Sequence, residues 1–372
     1  MPRFRHDEKG FSMKTYIFPG QGSQRKGMGG SLFDEFADLT RTADEILGYS
    51  VKSLCLEDPE GLLKQTRYTQ PALYVVNALS YEARVRETGT TPDFLAGHSL
   101  GEFNALLAAG VFDFATGLRL VKKRGELMAE AVGGGMAAVL NASEKEIRTV
   151  LEENGLTEVD LANYNTPSQI VISGRSEDIE AAKPLFQTGK HLFVALNTSG
   201  AFHSRFMEPA RAEFAAFLDG IPFAEPQITV ISNVTGRPYE NHLLKERLAE
   251  QIVSSVRWSD TVEHLLGHEG MEFEEIGHGD VLTKLVKKIR REIPDPRKHT
   301  VPAEPKPRRS APELVRDWNE TNPVGTRVRS TVGDYGTLET ATEATVLFGH
   351  RAAVYMAGYR GYFDLNEIEL VH

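Results

Sequence analysis

The sequence predicts an α/β protein that carries an inserted subdomain of the ferredoxin-like type. Apolar runs at 15–18 and 93–96 each stop at a Gly-containing turn and are followed by helical patterns. Residues 136–198 contain six elements in the order β-α-β-β-α-β, which is the order of a split βαβ unit. After Ile293 the composition changes to a Pro-rich stretch and then to short β-rich runs.

The main body is predicted from alternating helical and strand patterns on both sides of the insert. We expect it to comprise 13–135 and 199–293. Before the insert, helices are predicted at 31–47, 70–87 and 114–131, together with a strand, turn and helix over 93–109. After the insert, helices are predicted at 203–220, 241–267 and 280–290, with strands at 228–232 and 271–277.

The remaining segments are assigned by composition. Residues 1–12 form an N-terminal extension that we exclude from fold prediction. Residues 294–312 contain six prolines in nineteen residues, which is typical of an extended linker. Residues 313–372 are predicted to form a small β-rich module. This module is either a docking unit or a structural cap on the body.

Charge, cysteine content and the lack of long apolar stretches indicate which partners and which location to expect. The net charge of −10 argues against a nucleic-acid-binding protein, which normally has a basic excess. The single cysteine, Cys55, permits no internal disulfide, and we therefore expect a cytoplasmic location. No apolar stretch approaches the roughly 20 residues needed to span a bilayer, so no membrane association is expected.

Residues 97–101, GHSLG, match the G-x-S-x-G nucleophile-elbow pattern. In such an elbow a strand turns sharply into a helix and presents the serine at the apex, while glycines relieve crowding. The alternative is a Gly-rich turn with a capping serine. A serine nucleophile also needs a base, and three histidines lie in Gly- or Ser-flanked turns: His98, His203 and His278. Composition alone does not choose among them.

Seven blocks of the sequence, in order, resemble the malonyl-coenzyme A:acyl carrier protein transacylase family, which includes the acyltransferase domains of polyketide synthases. Together they extend over about 15–290. The blocks are FPGQGSQ (18–24), GHSLGEF (97–103), RLVKKRGELM (119–128), NYNTPSQIVISG (163–174), GAFHSRFM (200–207), ISNVTG (231–236) and EIGHGDVLTKLV (275–286).

The resemblance implies a hydrolase-like α/β large subdomain and a set of catalytic roles. Ser99 matches the nucleophile and His203 its base. The backbone N–H groups of Gln21 and Leu100 match the oxyanion hole. The family orients its histidine through backbone carbonyls rather than an aspartate, and we expect these carbonyls near Glu269.

The resemblance also implies a substrate pocket. Arg124 matches the arginine that binds the free carboxylate of malonyl, for which a guanidinium offers two parallel donors. Phe202 is expected to narrow the pocket against a branched substituent such as methylmalonyl. His98 and Asn163 are further candidates for substrate binding.

The implied function is transfer of malonyl from malonyl-coenzyme A to the phosphopantetheine thiol of an acyl carrier protein, in trans for a modular polyketide synthase. Two alternatives are a housekeeping malonyl transacylase of fatty-acid synthesis and an acyl hydrolase that clears carrier proteins. Malonyl-coenzyme A is expected as substrate, with no permanently bound cofactor. No metal site is expected, because the sequence has no HExxH motif and no Cys/His cluster.

Overall fold

The computed structural model describes residues 13–198, 200–293, 311–331, 335–347, 351–359 and 362–371. The chain divides into two compact units, Met1–His299 and Thr300–His372. The predicted N-terminal extension, 1–12, and residues 294–310 of the predicted linker lie outside the described residues. None of the described helices is long and apolar enough to cross a membrane.

The first unit contains a main body, an insert and the return of the main body. The first part of the body comprises β1 (Lys14–Phe18), α1 (Leu32–Glu35), α2 (Ala37–Leu47), α3 (Val51–Leu56), α4 (Thr66–Thr88), β2 (Phe94–Gly97), α5 (Gly101–Ala108) and α6 (Phe114–Glu130). The insert comprises β3 (Gly134–Leu140), α7 (Glu144–Glu153), β4 (Asp160–Thr166), β5 (Gln169–Arg175), α8 (Ser176–Ala182) and β6 (Leu192–Ala195). The body returns with α9 (Glu208–Asp219), β7 (Thr229–Ile231), α10 (Leu244–Glu250), α11 (Trp258–Leu266), β8 (Glu272–Glu275) and α12 (Val281–Glu292).

The body is built on a parallel sheet of order β7-β2-β1-β8. The central strand β1 is buried from Thr15 to Phe18, as expected for a parallel strand covered on both faces by helices. Phe18 pairs with Gly97, so β1 and β2 end side by side at one edge of the sheet. Loops that follow parallel strands meet at this edge, which is where ligands bind in open α/β sheets.

The insert is an antiparallel sheet of order β4-β5-β3-β6, with α7 and α8 packed on one face. Its core includes Ile147 and Ile179 from the helices, against Ile170 and Ile172 from β5. This strand order is that of a ferredoxin-like unit, and the predicted fold class is confirmed.

One segment that was predicted to be a largely continuous helix, 241–267, is interrupted. It contains α10 and α11, and the chain between them leaves the helical path. Val256 pairs there with β4 of the insert: its amide donates to Ala162 O and its carbonyl accepts from the Tyr164 amide, both at 2.9 Å. This pairing competes with helix propagation.

The second unit is β-rich, as predicted, but it begins with a helix. Residues 311 and 312 of the predicted linker already belong to α13 (Ala311–Thr321). Leu314, Val315 and Trp318 of that helix pack against the unit's own apolar core. Two three-stranded antiparallel sheets follow, formed by β9 (Arg327–Ser330), β10 (Thr337–Glu339), β11 (Thr345–Leu347), β12 (Arg351–Tyr355), β13 (Tyr362–Asp364) and β14 (Ile368–Leu370).

Candidate active site

Ser99 lies at the apex of a sharp turn between β2 and α5. Its φ of +50° is in the left-handed region, which non-glycine residues rarely adopt. A Cβ on Gly97 would lie 2.0 Å from the carbonyl carbon of Gly101, and a Cβ on Gly101 would lie 2.0 Å from Phe18 O. Both glycines are therefore required for the turn, and the geometry is that of a nucleophile elbow.

His203 faces the serine. Ser99 Oγ lies 2.8 Å from His203 Nε2. On the other side of the ring, Nδ1 lies 2.9 Å from Gln251 O and 3.2 Å from Ser254 O. Because a carbonyl can only accept, Nδ1 carries the proton and donates, which leaves Nε2 free to accept the serine proton.

The two carbonyls that hold His203 lie in the interruption after α10. The expectation that they lie near Glu269 was wrong, although their chemical type was predicted correctly. The physical reason is the pairing of Val256 with the insert, which ends the helix and leaves carbonyls free to accept from the imidazole.

The environment keeps the imidazole neutral. His203 is 4% exposed, and burial lowers its pKa from 6.5 to about 3, with the positive charge of Arg124 as the second cause. A neutral imidazole is the form that can accept a proton from serine.

Arg124 lies on the buried face of α6, at a position where the helical period otherwise places apolar side chains. It is 1% exposed. Its Nη1 donates to Gln70 Oε1 at 2.8 Å, and its Nη2 donates to Gln251 Oε1 at 2.7 Å and to Ser99 Oγ at 3.2 Å. Among the described residues, no group accepts from its Nε. Burial lowers the Arg124 pKa to about 10, and the guanidinium is still charged at neutral pH.

A buried polar network beneath the elbow contains three residues that were not predicted: Glu102, Asn233 and Gln251. Asn233 Oδ1 accepts from the Ser99 amide at 2.7 Å, and its Nδ2 donates to Gly97 O at 2.6 Å. The Glu102 carboxylate accepts from the Asn233 amide at 2.8 Å, from the Tyr239 hydroxyl at 2.7 Å and from Gln251 Nε2. Burial raises the Glu102 pKa to about 7.

Gln251 connects the network to the catalytic pair. Its Nε2 donates to Ser99 O at 2.9 Å, its Oε1 accepts from Arg124, and its backbone carbonyl accepts from His203. Glu102 and Asn233 lie in two of the family-like sequence blocks and could have been singled out there, whereas no sequence signal marks Gln251.

The loop after β1 contains Gln21, one of the two predicted oxyanion donors; the other, Leu100, follows Ser99 in the elbow. A Cβ on Gly20 would lie 2.3 Å from His98 O, so this loop lies directly against the elbow. Among the described residues, no protein group accepts a hydrogen bond from the amide of Gln21 or of Leu100. The Gln21 side chain donates to Thr66 Oγ1 at 3.3 Å.

A cavity of about 360 Å³ opens beside this loop, and its walls include Gln21, His98 and Asn163. His98 Nε2 donates to Asn165 Oδ1 at 2.8 Å, so the unpredicted Asn165 also belongs to this wall. Phe202 is 5% exposed and packs in the main core, next to His203 in the chain but outside the lining of this cavity.

The arrangement suits acyl transfer. A serine hydroxyl faces a neutral histidine, the amides of Gln21 and Leu100 have no protein acceptor among the described residues, and a buried cation lies beside the nucleophile. Within the described ranges, no group of three or more His, Cys, Asp or Glu residues is placed to hold a metal ion.

The fold and the site define an α/β protein with a serine–histidine elbow and a ferredoxin-like insert. The chain belongs to the acyl transferase domain family, which matches residues 15–336.

Curated relatives include two malonyl CoA-acyl carrier protein transacylases of polyketide biosynthesis. PksC of Bacillus subtilis is 55% identical and BaeC of Bacillus velezensis 56% identical, each over 282 residues that cover 75% of this chain and 98% of the relative. The polyketide biosynthesis protein PksE of Bacillus subtilis is 56% identical over 75% of this chain, and the match spans 37% of PksE.

Solved structures of similar proteins cover the same part of the chain. The malonyl CoA-acyl carrier protein transacylase of Burkholderia pseudomallei is 57% identical with a TM-score of 0.75, covering 76% of this chain and 100% of that structure. A malonyl-transacylase solved in complex with a type II polyketide acyl-carrier protein is 35% identical, with a TM-score of 0.71 over 75% of this chain and 93% of that one.

Proposed function

We propose that this chain transfers malonyl from malonyl-coenzyme A to the phosphopantetheine thiol of an acyl carrier protein, through a malonyl ester on Ser99. The observation that carries the proposal is the position of the Arg124 guanidinium. It is buried beside the nucleophile, with Nη2 at 3.2 Å from Ser99 Oγ, while Oγ also faces His203 Nε2 at 2.8 Å. A cation in this place suits an acyl group that has a free carboxylate.

In the loading step, His203 Nε2 accepts the proton of Ser99 Oγ as Oγ attacks the thioester carbonyl. The negative charge that develops on the carbonyl oxygen is stabilised by the amides of Gln21 and Leu100. Each such donor contributes about 2.7–4 kcal/mol to barrier lowering in serine hydrolases. The C–S bond then breaks, His203 returns its proton to the coenzyme A sulfur, and malonyl-Ser99 remains.

In the transfer step, the carrier thiol takes the place of coenzyme A. Its proton passes to His203 as its sulfur attacks the malonyl ester, and collapse of the tetrahedral intermediate returns the proton to Ser99 Oγ. The same base thus serves both half-reactions, and the overall kinetics are ping-pong.

Selectivity for malonyl follows from the charge of Arg124. The guanidinium binds the malonyl carboxylate, with His98 and Asn163 on the neighbouring wall. A hydrogen bond to a charged group is worth about 1.5–3 kcal/mol. An acetyl group offers no carboxylate and so forgoes these hydrogen bonds.

We place the activity in polyketide synthesis, acting in trans. The support is the pattern of identities: 55–56% to PksC and BaeC, against 35% to the malonyl transacylase of Escherichia coli and 45% to that of Synechocystis. The single cysteine supports a reducing cytoplasmic location. The mechanism uses side chains and backbone amides throughout, and we propose no permanently bound cofactor.

The experiment that tests this function is intact-protein mass spectrometry after brief incubation with malonyl-coenzyme A or acetyl-coenzyme A, followed by addition of a holo carrier protein. We expect a malonyl adduct that forms in preference to acetyl and then moves to the carrier protein. No malonyl adduct, with acyl groups released from acyl carrier protein to water instead, would establish the hydrolase alternative.

A further inference from the structure

A second cavity, of about 480 Å³, lies next to the cavity at the elbow. We name it the Lys64–Arg67 cavity; its lining comprises Lys64, Gln65, Thr66, Arg67, Ala129, Asn197 and Thr198. Three of these residues, Lys64, Asn197 and Thr198, also line the cavity that contains Gln21 and His98. The two cavities are therefore adjacent and share a wall.

The charge of this second cavity is positive. Its lining contains two cationic side chains, Lys64 and Arg67, and no acidic one. Neither cation forms an ion pair with an acidic side chain in the described part of the chain. Both are exposed, so their charge is directed at solvent or at a ligand.

The backbone reinforces this charge. Helix α4, 23 residues long, begins at Thr66 within the lining, and a helix N-terminus carries partial positive charge. Thr66 Oγ1 also accepts from the side chain of Gln21, at 3.3 Å. The lining is thereby joined to the loop that supplies an oxyanion donor.

We propose that the Lys64–Arg67 cavity binds a phosphate at the end of the pantetheine arm, in coenzyme A or in the carrier protein's prosthetic group. The thioester at the other end of that arm reaches Ser99 along the wall that the two cavities share. This inference rests on the proposed function. A phosphate group is common to both substrates, because coenzyme A carries phosphates beyond its pantetheine and the carrier protein's prosthetic group carries a phosphodiester. Two cations beside a helix N-terminus match that shared chemistry.

The test uses the full chain and a Lys64→Gln/Arg67→Gln variant, with substrates that carry or lack the phosphate-bearing part of the molecule. In the first arm Ser99 is loaded from malonyl-coenzyme A or from malonyl-pantetheine. In the second arm the malonyl-enzyme is unloaded onto a holo carrier protein or onto free pantetheine. The matched control, Lys145→Gln/Arg291→Gln, removes one Lys and one Arg charge from exposed positions outside both cavities.

We expect the variant to need about three- to tenfold more malonyl-coenzyme A for half-maximal loading, as the loss of two exposed charge contacts implies. Loading from malonyl-pantetheine and the maximal rate should be unchanged, and the control should behave like the wild type. Weaker loading from malonyl-coenzyme A alone assigns the site to coenzyme A. Slower transfer to the holo carrier protein alone assigns the site to the carrier protein's phosphopantetheine.

The proposal is overturned if the variant loses equal activity with phosphate-bearing and phosphate-free substrates. It is also overturned if the control variant loses as much activity as the Lys64→Gln/Arg67→Gln variant. Calorimetric binding of coenzyme A against pantetheine makes the same comparison without turnover. A wild-type protein that is not loaded by either thioester would contradict the proposed function itself. A wild-type protein that loads normally, with no phosphate-dependent loss in the variant, would contradict only this site.

Discussion

His203 works without a carboxylate partner. Its Nδ1–H is held by the carbonyls of Gln251 and Ser254, and these neutral acceptors fix the tautomer without adding a compensating negative charge. Burial and Arg124 then both oppose protonation, and they lower the pKa from 6.5 to about 3. A depressed histidine pKa stabilises the fold at pH values above 6.5, and this contribution is lost as the pH falls toward 3.

A pH profile of loading tests this electrostatic arrangement. We expect the acid limb of the single-turnover loading rate to lie well below pH 6.5 in the wild type, because the base stays neutral there. Arg124→Ala should move the limb toward higher pH, since a positive charge beside the imidazole is removed. Arg119→Ala, an exposed arginine on the same helix, should leave it in place. An acid limb near pH 6.5 in the wild type would contradict the lowered pKa of His203.

Gln251 is a positioning residue whose side chain and backbone serve different partners. Gln251→Ala keeps the carbonyl that orients His203 but leaves Ser99 O, Arg124 and Glu102 each short of a buried partner. We expect a loss of about 1–3 kcal/mol in the free energy of unfolding and a roughly 10- to 100-fold slower loading rate. The checks are urea unfolding and rapid-quench loading, with the exposed Gln187→Ala as control. An unchanged unfolding free energy would show that the network is dispensable.

At the scale of elements, the elbow depends on close backbone approach. Strand β2 and helix α5 meet so tightly that both Gly97 and Gly101 lack room for a methyl group. This close approach makes the turn between strand and helix sharp, and Ser99 lies at its apex with φ at +50°.

Gly101→Ala should therefore be severely destabilising. Its Cβ would lie 2.0 Å from Phe18 O, a backbone atom of the central strand that cannot move aside. We expect a loss of more than about 3 kcal/mol or failure to fold, measured by chemical denaturation. Gly220→Ala, at the end of α9 with open space around it and φ at −79°, should change stability by less than about 1 kcal/mol. Equal stability of the two variants would contradict the elbow geometry.

The elements that depend on neighbouring residues in the sequence were predictable from the sequence. The GHSLG turn and the six elements of the insert follow from glycine placement and short-range periodicity. The break between α10 and α11 was missed because its cause is a long-range pairing of Val256 with β4, which a helical pattern cannot show. The carbonyls at Gln251 and Ser254 were misplaced for the same reason. Helix α13 was missed because its apolar residues, among them Trp318, lie in a segment dominated by charged and polar side chains.

At the scale of the whole molecule, the chain has separate cores for its two units. The second unit has its own apolar cluster, including Val328, Leu338 and Val354. Every contact described at the candidate site joins residues between 13 and 293. The chemistry of loading is therefore expected to be a property of the first unit.

A chain ending at residue 293 should load malonyl on Ser99 at a rate within about twofold of the full chain, since every contact described at the site lies within residues 13–293. Loading and transfer to a holo carrier protein are measured in parallel. Slower transfer with normal loading would identify the second unit as a docking module, and a lower unfolding temperature would identify it as a structural cap. Loss of loading in a folded, truncated chain would contradict the expectation that the first unit alone carries out loading.

The central claim is that Ser99 carries the malonyl group during transfer. The most direct measurement is peptide mass mapping after rapid quench with malonyl-coenzyme A, on the wild type and on Ser99→Ala. The account predicts a malonyl mass on the peptide that contains residues 97–101 in the wild type, and at least a thousandfold slower labelling in Ser99→Ala. A malonyl adduct on another peptide, or normal labelling of Ser99→Ala, would contradict it.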